Sequence, residues 1–204
     1  MTKATSNGRS RIRSTSANER VLKEFNHLCA ICGAVKPQVH HIDENPANNE
    51  PLNLLPLCPN HHLSDAHDPT RPIDPLLLLL FRQHKDPLIL SSRFEPIFRR
   101  FTPMLLVSDD EDLGDLYRNI RDLADFVRHL KMGKYYANII DRLIHDIEEL
   151  AHDPIHEDNL MFGGMVDGAI VKIIRQETPK LVRLLVEQIR YQDWPKLDLN
   201  RAVL

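Results

Sequence analysis

The chain has 204 residues, of which 42% are hydrophobic, and a formal net charge of −3, so it can fold as one ordinary domain or two small ones. Its longest purely aliphatic run, Leu76 to Leu80, is too short to cross a bilayer, and the first twenty residues lack the apolar stretch of a secretory signal. The sequence therefore predicts a cytoplasmic protein that does not interact with a membrane.

The charge is unevenly distributed along the chain. Residues 1–20 carry +4, residues 21–108 carry −1 and residues 109–204 carry −6. The first segment lacks apolar periodicity and predicts a flexible basic arm. Neutralisation of phosphate dominates nucleic-acid affinity, so its arginines are candidate contacts to nucleic acid: Arg9, Arg11 and Arg13. The competing interpretation is a solvated tail without a ligand.

The next segment, residues 21–68, contains all three cysteines and six of the eleven histidines. Cys29 and Cys32 form a CxxC pair. After an interval of twenty-five residues, Cys58 and His61 repeat the same spacing. Two such pairs, each able to wrap a turn around one ion, are typical of a tetrahedral structural zinc. The alternative is a set of inert buried thiols.

Beside these ligands lie four residues that a four-coordinate zinc does not need: His40, His41, Asn53 and His62. This surplus suggests catalysis. The sequence VHHI at 39–42, a polar loop, NLLPLC at 53–58 and a closing His-His pair resemble the HNH, or ββα-metal, nuclease family in order, spacing and residue type. The resemblance covers about residues 21–67.

The resemblance implies a role for each of these residues. His40 and His62 match two ligands of a catalytic divalent ion. His41 matches the general base that removes a proton from the attacking water, and Asn53 matches the residue that holds the loop and orients this base. Phosphodiester hydrolysis requires an activated water and a cation near the phosphate. Because adjacent residues of a strand point to opposite faces, His40 and His41 need not compete for one ion.

Two ligand assignments stay open. His61 occupies the place of a family cysteine, so His61 and His62 are exchangeable on paper. We assign His61 to zinc because its spacing from Cys58 mirrors the first pair. Some relatives have a third histidine ligand of the catalytic metal four residues after the last one, where this chain has Ala66. His67 follows one residue later, and it is either the third ligand of the catalytic ion or a surface histidine. Three nearby carboxylates either orient metal-bound waters or are ordinary surface charges: Asp43, Glu44 and Asp65.

Residues 69–107 contain six prolines and alternate short apolar runs with helix breakers. This pattern predicts a connector with one or two short helices. Two of its apolar runs, residues 76–81 and 94–101, need burial, so we expect the connector to pack as a clasp.

From residue 108 onward the pattern is helical. Ser108 and Glu111 form a capping box for a helix of about twenty residues, which Gly133 is expected to stop. A second amphipathic helix follows from Tyr136 to the Asp-Pro pair at 153–154.

Two further helices are predicted after that pair. Residues 160–175 are apolar on most sides and suit a buried helix. Thr178 and Pro179 suit the cap and first position of a separate helix that reaches about Tyr191. The acidic bias of this part of the chain favours a protein partner over direct contact with DNA.

The sequence therefore predicts an α+β protein, in which a small zinc-stapled ββα-metal nuclease core precedes a mostly α-helical C-terminal domain. The predicted regions are a basic arm at 1–20, the HNH core at 21–68, a connector at 69–107 and the helical domain at 108–204. We expect an endonuclease that hydrolyses phosphodiester bonds of nucleic acid, with DNA preferred. It would use a structural Zn²⁺ and one catalytic ion, Mg²⁺ or else Mn²⁺, Ni²⁺ or Zn²⁺. The resemblance suggests a role in bacterial defence.

Two other classes of function remain open. A non-catalytic zinc module that binds nucleic acid or protein needs only the cysteine-rich ligand set. A helical interaction protein would use residues 109–204, with the zinc as a staple of the fold. We also predict that the helical domain pairs two chains in a homodimer. The alternative is a monomer in which these helices bury their apolar faces against each other.

Overall fold

The computed structural model of the chain describes four stretches: residues 17–70, 72–108, 112–151 and 168–192. The chain divides into two compact units, the first ending at Leu90 and the second beginning at Ser91. This boundary lies inside the predicted connector. The predicted nucleic-acid contacts of the basic arm lie outside the described residues: Arg9, Arg11 and Arg13. Residues 17–20, which we predicted as the end of that arm, are helical.

The first unit contains, in order, helix α1 at residues 17–24, strand β1 at Gln38–His41, strand β2 at Leu54–Leu57 and helix α2 at Pro75–His84. The two strands form an antiparallel sheet in which His40 lies opposite Leu55 and His41 opposite Leu54. All four residues of β2 are buried. The described part of the chain is thus mixed α and β, as predicted, with a small sheet and a majority of helix.

Helix α1 packs on this sheet. Its buried residues Ala17 and Val21 are four positions apart, so they lie on one helical face, and they contact Leu54 of β2. Phe25 and Val39 complete the cluster. The predicted flexible arm therefore ends earlier than residue 20, because this apolar face anchors the chain.

The side chain of Arg82, on α2, is only 3% exposed, and each of its three nitrogens donates a hydrogen bond. Its Nη1 and Nη2 donate to the two carboxylate oxygens of Glu24, at 2.9 and 2.6 Å. Its Nε donates to the carbonyls of Leu54 and Pro51, at 2.8 and 3.2 Å. One guanidinium thus joins α1, β2 and the 3₁₀ turn that precedes β2. Hydrogen bonding to Arg82 is the main cause that lowers the pKa of Glu24.

Replacing Arg82 with alanine is expected to destabilise the first unit by about 3 kcal/mol, because buried carbonyls lose their donor and Glu24 loses its bidentate partner. Hydrogen exchange of the β1 and β2 amides should accelerate about a hundredfold. The control is Arg99→Ala, which removes an exposed pair with Glu95 and should cost under about 0.5 kcal/mol. Since the folded pKa of Glu24 is depressed, this stabilisation is present at neutral pH. It should be lost as the pH falls below the usual range of a glutamate. Unchanged exchange in Arg82→Ala would contradict the role of this residue.

The second unit is helical. Its main helices are α3 at Glu95–Leu106, α4 at Leu113–Arg128, α5 at Gly133–Ala151 and α6 at Gly168–Arg190. Helix α4 packs against α3 and α5, and α6 packs against α5 and α3. Their apolar faces are therefore buried against each other within one chain. The homodimer stays a prediction, but the described helices already pack against each other within one chain, so their apolar faces are not an argument for a second copy. None of the described helices combines the length and apolar character needed to cross a membrane.

The predicted start and end of α4 are both wrong. Asp112, not Ser108, caps α4, since its carboxylate accepts the Asp115 N–H at 2.9 Å. Glu111 lies outside the described residues. Gly133 begins α5 rather than stopping α4, which already ends at Arg128. A Cβ at Gly133 would lie 2.0 Å from the carbonyl oxygen of Val127, so the tight turn between the helices requires glycine.

The predicted break at Thr178 and Pro179 is also wrong, because α6 continues through both residues. A proline inside a helix costs about 3 kcal/mol through the lost hydrogen bond and a steric clash. Thr178 is buried at a helical interval from both Ile174 and Leu181, so one apolar face runs across the proline. We infer that burial of this continuous face outweighs the local cost. Residues 160–167 lie outside the described part of the chain.

Candidate metal centres

Four ligand atoms from the two predicted zinc pairs converge in the first unit: those of Cys29, Cys32, Cys58 and His61. All of them lie within 4.8 Å of one another. The Sγ atoms of Cys32 and Cys58 are 3.8 Å apart, and the Sγ of Cys29 is 3.6 Å from the Nδ1 of His61. The Sγ of Cys58 is closer to the same nitrogen, at 3.1 Å.

These separations match a tetrahedral zinc. With Zn–S bonds of about 2.3 Å and Zn–N bonds of about 2.0 Å, tetrahedral angles place two sulfurs about 3.8 Å apart and a sulfur and a nitrogen about 3.5 Å apart. The Cys32–Cys58 and Cys29–His61 distances agree with these values, and the Cys58–His61 distance is shorter by a few tenths of an ångström. The four residues can therefore hold a metal ion with the geometry of a structural zinc.

Local backbone geometry shapes the CxxC turn. Gly33 has φ +73°, a conformation that favours glycine, and its N–H donates to the Cys29 carbonyl at 2.9 Å. The Cys29 N–H donates to the Ala34 carbonyl, and the Ala30 N–H donates to the Pro56 carbonyl, both at 2.8 Å. The second bond joins the turn to β2. Pro56 has no N–H to donate, but its carbonyl still supplies this link.

The pKa of two of the three thiols is lowered. The backbone N–H of His61 is the main influence that lowers the pKa of the Cys58 thiol. Burial raises the pKa of Cys29, but hydrogen bonds from the backbone of Cys32 and Cys58 outweigh burial, and the net shift is downward. Because the thiolate is the form that binds zinc, both shifts favour metal binding.

A second cluster lies beside the first and consists of His40, His62 and His67. The ring centroids are 5.2 Å apart for His40 and His62, 4.9 Å for His40 and His67, and 4.8 Å for His62 and His67. Burial, followed by repulsion from its histidine neighbours, lowers the pKa of His40 to about 4. Burial also lowers the pKa of His62. Both rings are therefore neutral at pH 7, as metal ligands must be.

His67 joins this cluster because the chain does not form an α-helix here. Residues His61–Ala66 form a π-helical turn, in which the His67 N–H donates to the His62 carbonyl at 3.1 Å. Residues five apart therefore share a face, whereas an α-helix would place Ala66 there. This geometry also separates His61 from His62, so that consecutive residues belong to different clusters. His61 thus lies with the three cysteines, and His67 lies with His40 and His62, while the ligand roles themselves stay predictions.

His41, the predicted base, is next to this cluster in β1. Its side chain is half-buried, and its Nε2 is shielded from solvent without a hydrogen-bond partner among the described residues. His40, the preceding residue, is almost fully buried, so the two side chains differ in environment as adjacent strand residues should. A buried imidazole nitrogen without a partner is uncommon unless a ligand or water binds it.

Asn53, which we predicted to hold the loop and orient His41, holds the loop directly. Its Nδ2 donates to a carboxylate oxygen of Asp43 at 2.7 Å and to the Asn48 carbonyl at 3.0 Å, and its Oδ1 accepts the Asp43 N–H at 3.0 Å. No described hydrogen bond joins its side chain to His41. Its backbone carbonyl instead accepts the Ile42 N–H, at 2.8 Å, which fixes the backbone just after His41.

Moving the third histidine by one residue tests the π-helical turn. The double variant Ala66→His, His67→Ala restores the α-helical spacing but should bind a second divalent ion at least about tenfold more weakly than the native chain. Loss of a ligand costs more than the 10- to 100-fold that loss of a ligand's outer partner costs. Calorimetric titration of the zinc-loaded protein with Ni²⁺ measures this affinity. Native affinity in the double variant would mean that the turn rearranges freely.

Comparison of the chain with protein-family models, with curated proteins and with solved structures gave no match. The functions of the two clusters are therefore inferred from their geometry and chemistry.

Proposed function

We propose that the protein is a metal-dependent endonuclease of the HNH, or ββα-metal, type, which hydrolyses phosphodiester bonds of nucleic acid, with DNA as the preferred substrate. The observation that carries this proposal is the three-histidine cluster of His40, His62 and His67 beside the partner-free Nε2 of His41. A structural zinc accounts for the cysteine-rich cluster but gives no reason for the other histidines.

The proposed mechanism assigns separate tasks to the two sides of β1. His40, His62 and His67 would hold a divalent ion, which supplies charge stabilisation to the phosphate. His41 Nε2 accepts a proton from the attacking water as the new P–O bond forms. The bond from phosphorus to the leaving oxygen then breaks, and that oxygen takes up a proton from solvent. Asn53 keeps the loop of residues 43–48 folded beside this site.

The donor set favours particular ions. Three imidazole nitrogens suit Zn²⁺, Ni²⁺ and other transition metals, whereas Mg²⁺ prefers oxygen ligands. The cluster therefore favours Zn²⁺ or Ni²⁺ over Mg²⁺ and Mn²⁺, which both prefer oxygen ligands.

A non-catalytic zinc module is the second candidate function. It is favoured by the agreement of the cysteine-rich cluster with tetrahedral zinc, since a fold stabilised by zinc can bind nucleic acid or protein without cleaving anything.

The role in bacterial defence, the protein partner of the helical unit and the homodimer also stay proposals. One active site acts on one strand, so a monomer should nick DNA and a dimer can cut both strands.

Cleavage of supercoiled plasmid by the zinc-loaded full chain tests the proposal. The protein should convert plasmid in the presence of Ni²⁺ or Mn²⁺ and lose this activity in His62→Ala, which removes an ion ligand but leaves the cysteine-rich cluster intact. His145→Ala, an exposed histidine on α5, is the matched control and should cleave like the native chain. No cleavage with any divalent ion, or equal cleavage by His62→Ala, would refute the nuclease and favour the binding module.

A further inference from the structure

We propose that Gln38 is a positioning residue for the three-histidine cluster, one that fixes the tautomer and orientation of His62. Gln38 is the first residue of β1, and its side-chain Oε1 lies 3.1 Å from the Nδ1 of His62. This inference depends on the proposed function, since it assumes that the cluster binds an ion.

The sheet places Gln38 where this contact can form. Gln38 and His40 are two residues apart on β1, so their side chains project from the same face of the strand. Gln38 pairs with Leu57 at the end of β2, immediately before the chain enters the short helical segment that carries His62. The same strand face thus supplies one ligand, His40, and the partner of a second ligand.

The chemistry of the contact selects one form of the ring. An amide oxygen only accepts hydrogen bonds, so the Nδ1 of His62 must carry the proton. The lone pair is then on Nε2, the nitrogen left free for the ion. Metal-binding histidines usually donate their second N–H to such an outer partner, which holds the ring and prevents the wrong tautomer.

His67 has an acidic neighbour that lies beyond hydrogen-bond distance. A carboxylate oxygen of Glu44 lies 3.8 Å from the Nδ1 of His67. The cluster therefore has one neutral and one anionic neighbour. A negative charge beside a ligand strengthens metal binding but reduces the positive charge available to the phosphate. We infer that the neutral Gln38 lets His62 be held in place without that loss.

Three variants of the full, zinc-loaded chain test this role: Gln38→Ala, Gln38→Glu and the exposed control Gln176→Ala. Calorimetric titration with Ni²⁺ should show binding of the second ion weakened about 10- to 100-fold in Gln38→Ala. Gln38→Glu should bind at least as tightly as the native chain, yet cleave more slowly at saturating ion. Nitrogen-15 NMR before addition of the second ion should show the Nδ1–H form of His62 in the native chain and its loss in Gln38→Ala.

The outcomes separate this inference from the proposed function. Native affinity in Gln38→Ala, or an unchanged tautomer of His62, would overturn the role of Gln38 while leaving the ion site in place. Failure of the native chain to bind a second ion would refute the proposed function and this inference together. We expect the second ion to bind most weakly to Gln38→Ala and at least as tightly to Gln38→Glu as to the native chain. A purely structural role for Gln38 does not produce this order of affinities.

Discussion

Replacing Cys29 with serine should unfold the first unit, including the sheet that carries His40 and His41. A structural zinc contributes about 10–16 kcal/mol to folding, as much as or more than the total stability of a typical domain. The apolar cluster between α1 and the sheet and the buried side chains of β2 and α2 are therefore not expected to keep the unit folded once that contribution is lost. Purified native protein should contain about one tightly bound zinc per chain. In Cys29→Ser, the amides of β1 and β2 should exchange as fast as in an unfolded peptide.

A control is needed because all three cysteines belong to the cluster. Removal of zinc from the native chain with a strong chelator should produce the same loss of protection, and addition of Zn²⁺ or Co²⁺ should reverse it. The helical signal of α4 to α6 provides an internal reference. A metal-free native chain that keeps slow exchange in the sheet would show that the cluster does not staple the fold.

Replacing His41 with alanine should reduce plasmid cleavage by about 10²- to 10⁴-fold, the usual contribution of a general base. The Nε2 that is expected to receive the proton disappears, but no ligand of either cluster is lost. Both metals and the affinity for DNA should therefore be retained. Calorimetry with Ni²⁺ and fluorescence anisotropy with labelled duplex measure these two properties.

The comparison with His62→Ala makes the assignment specific. That variant should also lose cleavage, but through weaker binding of the second ion, so part of its activity should return at high ion concentration. Excess Ni²⁺ should not rescue His41→Ala. Full activity in His41→Ala would show that another group, such as a carboxylate of the adjacent loop, is the base.

The grouping of the three cysteines with His61, and of His40 with His62, could be predicted from the sequence because these residues are closely spaced in short, regular segments. The repeated two-residue spacing of the cysteine-rich set fixed its members, and alternation along β1 separated His40 from His41. His67 was left undecided for a physical reason. His62 and His67 are five residues apart, which does not fit the period of an α-helix, and the local composition does not predict a π-helical turn.

Other features depend on contacts that are distant in sequence. The partners of Arg82 lie 28 to 58 positions away, so the sequence around an arginine in a leucine-rich helix gives no sign of its burial. Continuity of α6 through Pro179 depends on packing that no local rule includes. Gln38 stands immediately before the VHHI sequence at 39–42 and resembles an ordinary polar first residue of a strand. Only the position of His62 gives it a candidate role.

The buried guanidinium of Arg82 also determines which part of the chain must accompany the two clusters if they are transferred to another protein. A fragment cut to the length of the motif, residues 21–68, retains every metal ligand but omits the arginine that joins Glu24 to the carbonyls of Pro51 and Leu54. Grafted onto another protein, such a fragment would lack these hydrogen bonds and should depend more strongly on bound metal for its stability. A fragment that is to fold in another protein needs both α1 and α2, that is, residues 17–90. A fusion point within the proline-rich stretch before α2 would separate the two clusters from Arg82.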